Sequence, residues 1–112
     1  MDCLFCKIIA GTIPSRSVYQ DDQCLAFHDI DPQAPAHVLI IPRKHIASLA
    51  EAQNEDEGLL GHLLGAAAEV ARSQGLSNGY RTVINTGKDA GQLVHHLHVH
   101  VLGGRTMGWP PG

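Results

Sequence analysis

Apolar residues fall in short runs along this chain, each closed by glycine, proline or an acidic turn. Residues 37–42 form a continuous apolar run, which predicts a buried strand stopped by Pro42. Residues 17–21 and 24–29 read as two strands around the acidic turn Asp21-Asp22. Between residues 55 and 74 the period changes. Leu59, Leu63, Ala66 and Val70 recur at three- and four-residue spacing and make one apolar stripe, so this segment predicts the long helix. Asn54 and Glu57 stand as its N-cap and N3 residues, and Gly75 as its stop. Asn78-Gly79 marks a turn, and residues 80–86 and 96–102 read as the last strands. A short helix over 3–9, ended by Gly11 and Pro14, opens the chain. Hairpin-like strands with one main helix predict an α+β fold with a mostly antiparallel sheet, as a single domain over residues 1–112.

The last strand carries the strongest chemical signal. His96, His98 and His100 alternate with Leu97, Val99 and Val101. Successive side chains on a strand point to opposite faces, so the apolar set faces a core and three imidazoles share the other face. Imidazole serves near neutral pH as nucleophile, acid, base or metal ligand.

Composition narrows the function. There are 8 basic against 11 acidic residues, a net charge of −3, and no basic run. This argues against DNA or RNA as a partner. No stretch approaches the ~18 apolar residues that cross a bilayer, and no basic-then-apolar leader is present, so no membrane association is expected. Three cysteines are too few and too odd in number for a disulfide scaffold, which points to the reducing cytoplasm.

A strand with histidine at every second position suits two chemistries. One is a zinc site; a hydrolytic one needs a third ligand, an open position and a nearby acid or base. The other is phosphoryl chemistry with an imidazole nucleophile. No well-placed carboxylate stands near the strand, whereas Asn85-Thr86-Gly87 and Gly91-Gln92 lie just upstream. Glycine lets backbone N–H groups approach a phosphate, and asparagine can donate to its oxygens, so the phosphate reading is the better one. Cys3 and Cys6 have two readings: small buried residues, or half of a structural zinc site. Cys24 reads as core, and His62 as a solvent or interface residue on the long helix. His95 receives no chemistry.

The run His96-Leu97-His98-Val99-His100-Val101-Leu102 resembles the signature of the histidine triad superfamily. Cys3-Leu4-Phe5-Cys6, Ala26-Phe27-His28-Asp29-Ile30, Ile41-Pro42-Arg43-Lys44-His45 and Gly103-Gly104-Arg105 through Trp109-Pro110-Pro111-Gly112 are similar to its nucleotide-binding Hint branch, in the family's order. The resemblance implies a five-stranded antiparallel sheet with the long helix packed on it. It also implies a homodimer, to which the apolar Trp-Pro-Pro tail adds a hint. The implied activity is hydrolysis of purine nucleoside phosphoramidates through a nucleotidyl-histidine, with AMP or GMP as products. His98 matches the nucleophile, His100 the contact to phosphate and leaving group, and His37 a fourth histidine supporting the triad. Asp29 matches the ribose carboxylate. Phe5, Ile8, Phe27, His28, Ile30 and Leu39 match the purine pocket. Asn85, Gly91, Gln92 and Leu93 fall at the phosphate end. His45 and His96 stand where zinc-bearing relatives complete a site with Cys3 and Cys6.

Leu93 departs from the polar residue common in this branch, which bears on rate and leaving-group preference. Three other readings remain open: a dinucleoside polyphosphate hydrolase, a nucleotide-binding adaptor with vestigial catalysis, and a zinc hydrolase using the triad as ligands.

Overall fold

The computed structural model describes residues 3–112. Its elements are α1 (Leu4–Ile9), β1 (Ser17–Gln20), β2 (Cys24–His28), β3 (Ala36–Pro42), α2 (Glu57–Ser73), β4 (Tyr80–Val83) and β5 (Val99–Gly103). The five strands form one antiparallel sheet in the order β1-β2-β3-β5-β4. The α+β expectation holds.

β3 lies at the centre of the sheet, which is why its run is apolar without alternation: both faces are covered. Val38 and Ile40, with Ala26, Val99 and Val101, pack against Leu63, Ala66, Ala67 and Val70 of α2. Each of the large side chains in that layer contributes about 1.5–3 kcal/mol by leaving water. Leu25, Phe27, Leu39 and Ile41 face the other way and form a smaller cluster with Cys3 and Phe5 at α1.

The long helix starts and stops for visible reasons. A 3₁₀ turn over Asn54–Asp56 leads into α2. Its cap sits one residue earlier than the sequence suggests: the Asp56 carboxylate accepts the Gln53 N–H at 2.9 Å, so Gln53 and Asp56 take the places expected of Asn54 and Glu57. At the other end Gly75 adopts φ +71°, while the Gly75 N–H bonds to the Arg72 carbonyl and the Leu76 N–H to that of Ala71. This pair of bonds closes the helix as a Schellman motif.

Two expectations need correction. β5 begins at Val99, so His96 and His98 precede the ladder. They keep strand-like alternation because the backbone there is held elsewhere: the Leu97 N–H donates to Ile46 O at 2.7 Å. β4 likewise ends at Val83, and residues 84–95 form a loop with a 3₁₀ turn at Lys88–Ala90. His62, partly exposed on α2 as expected, has a partner within the chain. Its Nε2 lies 2.7 Å from Asp21 Oδ2, which also accepts the Tyr19 hydroxyl at 2.8 Å and so ties α2 to the β1–β2 turn.

Candidate active site

The face of the sheet away from α2 carries a cleft of about 560 Å³. Phe5 and Ile8 of α1, Phe27 of β2 and Leu39 of β3 make its apolar wall. Asp29, Asn85, Gly91, His98 and His100 supply the polar end, and Ile30 and Leu93 stand at its edge. Strand register explains the grouping. Phe27 pairs with Leu39, and Leu39 pairs with His100, so all three share one face. Ile30 is fully exposed, and Leu93 is 89% exposed.

Two expected nucleotide contacts are placed elsewhere. His28 pairs with Val38, on the α2 face of the sheet, and is absent from the cleft wall. Period-two alternation sends it opposite to Phe27. The buried side chain of Gln92 is spent on its own loop: Oε1 accepts the Gly87 N–H at 3.0 Å, and Nε2 donates to Ala47 O at 2.8 Å and Val94 O at 3.1 Å. Gln92 thus shapes the loop that presents Asn85 and Gly91. Asn85 helps, its Nδ2 donating to Ala90 O at 2.8 Å, and Gly91 takes φ +77°. Leu4, Ile13, Pro14 and Val94 also line the cleft. Sequence reasoning missed them because apolar residues in loops and short helices carry no periodic signal.

Each triad ring is oriented by a different partner. His98 Nδ1 lies 2.7 Å from the His96 carbonyl, which can only accept. The proton therefore sits on Nδ1, and the Nε2 lone pair is left to serve the cleft. Phe5 holds the ring edge-to-face, with centroids 5.2 Å apart.

His100 is set from behind. The Gln33 N–H donates to His37 Nδ1 at 3.0 Å, so neutral His37 carries its proton on Nε2. That nitrogen lies 2.9 Å from His100 Nδ1, which must accept. His100 consequently keeps its proton on Nε2 and can donate into the cleft. Burial pushes the His100 pKa down to about 4, with the like charges of His98 and His37 adding to it and Asp29 opposing. Burial also lowers His37, against the pull of Asp29 and Asp31.

His96 is fully buried and turned away from the cleft. Its Nε2 lies 2.9 Å from Pro42 O and donates to it, leaving the Nδ1 lone pair free. That lone pair meets Cys3 Sγ at 3.3 Å, Cys6 Sγ at 3.6 Å and His45 Nδ1 at 3.1 Å. All four donor atoms lie within 4.8 Å of one another. A tetrahedral zinc with ordinary bond lengths separates its ligands by roughly 3.3–3.8 Å, so this donor set fits one. Without a cation, burial first, then the hydrogen bond and charge of Cys3, hold the Cys6 thiol above its usual range. The four residues expected as metal ligands are thus brought together, and the tautomer of His96 suits that role.

Comparison with known proteins finds relatives over nearly the whole chain. Residues 10–107 match the HIT domain. A HIT family hydrolase from Legionella pneumophila superposes with a TM-score of 0.97 at 51% identity, over 99% of this chain and 100% of its own. A histidine triad nucleotide-binding protein from Candida albicans gives 0.83 at 34% identity, over 99% and 85%. A zinc-bound histidine triad family protein from Mycobacterium smegmatis gives 0.80 at 36% identity, over 94% and 76%. With the domain matched over nearly all of its length and the triad set at one end of the cleft, the chain belongs to the histidine triad (HIT) family.

Proposed function

We propose that this protein is a purine nucleoside phosphoramidase of the Hint branch, with His98 as its nucleophile. The observation that carries the reading is the hydrogen bond from His98 Nδ1 to the His96 carbonyl, which leaves Nε2 as the free nucleophilic atom beside an apolar cleft of nucleoside size. The purine lies between Phe5, Ile8, Phe27, Ile30 and Leu39. Asp29 accepts the two ribose hydroxyls. The phosphate sits against Asn85, the backbone of Gly91 and Leu93, and the Nε2–H of His100.

His98 Nε2 attacks the α-phosphorus. The P–N bond of the substrate breaks with its electron pair going to the amine, which takes up a proton as it leaves. The developing positive charge on His98 is stabilised through Nδ1–H by the His96 carbonyl. Water then displaces the imidazole, releases a proton and yields the nucleoside monophosphate. The cluster of Cys3, Cys6, His45 and His96 would hold a structural zinc. Bound there, the metal supplies no chemistry to the phosphate but fixes the His96 ring and ties α1, which carries Phe5, to the triad segment. Trp109, 84% exposed, and the Pro-rich tail support assembly as a homodimer. The small, odd number of cysteines supports a reducing, cytoplasmic compartment.

Side-by-side turnover of adenosine 5′-phosphoramidate and a diadenosine polyphosphate tests the reading. Preferential release of AMP from the phosphoramidate supports it. Preference for the dinucleotide moves the protein to the polyphosphate hydrolases. Leu93 at the cleft edge favours one other reading, a nucleotide-binding adaptor, for which AMP binding without turnover of either compound is the expected result.

A further inference from the structure

Asp29 stands beside His37 as well as beside the cleft. Its Oδ2 lies 3.4 Å from His37 Nε2, the nitrogen that is 2.9 Å from His100 Nδ1. The juxtaposition is rigid. The Asp29 N–H bonds to His37 O at 3.0 Å where β2 and β3 part, and Asp29 Oδ1 accepts the Asp31 N–H at 2.8 Å. Because the Gln33 N–H occupies His37 Nδ1, a single proton on Nε2 faces two acceptors: the His100 nitrogen and the Asp29 carboxylate. Asp29, Asp31 and His100 are the titratable groups acting on His37, and His98, His37 and Asp29 those acting on His100.

We infer that Asp29 couples sugar recognition to the triad: a ribose diol donating to Asp29 withdraws the carboxylate from His37 Nε2–H, turns that proton wholly onto His100, and thereby strengthens the hydrogen bond His100 donates into the cleft. The physical basis is that hydrogen bonds in series polarise one another, most strongly at low local dielectric. His37 is almost fully buried. Asp29 and His37 are then positioning residues, and the sugar diol raises turnover as well as affinity. This rests on the nucleotide reading proposed above, and it adds that the sugar hydroxyls act at the chemical step and not on binding alone.

The test uses the full chain with ¹⁵N-labelled histidine. Ring-nitrogen NMR spectra are recorded with saturating AMP and with saturating 2′,3′-dideoxy-AMP. The His37 Nε2–H proton should move downfield with AMP and stay near its free position with the dideoxy compound, although both shift residues of the apolar wall. In parallel, kcat for adenosine 5′-phosphoramidate should exceed that for its dideoxy counterpart by a few-fold, the size expected when a neighbour strengthens a hydrogen bond by about 10–30%. In His37→Asn the diol should alter KM alone. If both nucleotides bind and move the His37 signal alike, or if kcat is equal for the two substrates, the coupling is wrong while the nucleotide reading stands. If neither nucleotide perturbs the wall, the nucleotide reading fails and the coupling falls with it.

Discussion

Replacing His98 with asparagine separates its chemical role from its structural one. Beside a T-shaped contact with the His100 ring at 5.0 Å, two contacts hold the ring from behind: a 2.7 Å hydrogen bond from Nδ1 to the His96 carbonyl, and an edge-to-face contact with Phe5 at 5.2 Å. An asparagine amide N–H can take over the first and cannot supply the second. His98→Asn therefore keeps a hydrogen bond worth about 0.5–1.5 kcal/mol and loses an aromatic contact worth about 0.5–1.5 kcal/mol. His98→Ala loses both, about 1–3 kcal/mol in all. For a domain of this size roughly 4 °C of Tm corresponds to each kcal/mol. The expected Tm losses are then roughly 2–6 °C for asparagine and 4–12 °C for alanine. Neither unfolds the protein at room temperature. Both variants lack the attacking Nε2, so both should lose turnover on the order of 10⁴-fold or more regardless of their difference in stability. AMP affinity, measured by calorimetry, should stay within a few-fold for His98→Asn. Acid quench of the wild type during turnover should trap nucleotide on the protein, and quench of either variant should not. Wild-type turnover in His98→Asn would refute the covalent mechanism, as would activity losses that simply follow the Tm losses.

The remaining perturbations address the other parts of the site. Asp29→Ala removes the acceptor proposed for two hydroxyls, each bond worth roughly 0.5–3 kcal/mol; calorimetry should show weaker AMP binding, with a Tm loss of only a few degrees from the lost bond to the Asp31 N–H, and equal affinity would place the ribose elsewhere. Leu93→Ser should raise turnover of substrates with poor amine leaving groups more than of good ones, and a uniform change across a leaving-group series would count against a role for this position. Metal analysis of protein prepared without chelators should find close to one zinc per chain, lost together with thermal stability in the double variant Cys3→Ser/Cys6→Ser and lost as pH falls, because the thiolates must be deprotonated to bind. The pKa of His100, about 4 in the folded chain against 6.5 for the free side chain, means that the unfolded state takes up the proton first. Stability contributed by neutral His100 is thus present above about pH 6.5 and lost as pH falls toward 4, and thermal melts of His100→Gln should show a shallower decline across that window than the wild type.

How much of this was legible in the sequence depends on the range of the interaction. The β3 run and the α2 stripe were readable because burial imposes a period on local sequence, and the histidine alternation was readable for the same reason. Its meaning was only half readable. Alternation puts His96, His98 and His100 on one face, yet it does not say that His96 turns to Cys3, Cys6 and His45 while the other two serve the cleft. That division is made by acceptors distant in sequence, notably Pro42 O, or by the backbone itself, as with His96 O. The pairing of His37 with His100 needs the β3–β5 register, and the contact of Asp29 with His37 needs the β2–β3 corner. His28 shows the opposite failure: its place in a motif suggested the purine pocket, but period two sends it to the α2 face.

Three histidines two residues apart thus have three different ring environments, and the difference lies in which nitrogen each is obliged to protonate. His96 donates from Nε2 to Pro42 O and turns Nδ1 to Cys3, Cys6 and His45. His98 donates from Nδ1 to His96 O and leaves its Nε2 lone pair to the cleft. His100 accepts at Nδ1 from His37 and offers Nε2–H to an oxygen. A lone pair turned to two thiols, a lone pair turned to the cleft and a donor arise from one residue type because the partner behind each ring is a carbonyl in two cases and an imidazole in the third. The partners are also linked in series. The carbonyl that orients His98 belongs to His96, so any group that fixes the His96 backbone fixes the nucleophile's acceptor. Loss of the zinc proposed for the Cys3–Cys6 cluster should therefore reach His98 through a single residue of backbone, which would join stability at α1 to the proposed chemistry in the cleft without the metal touching substrate.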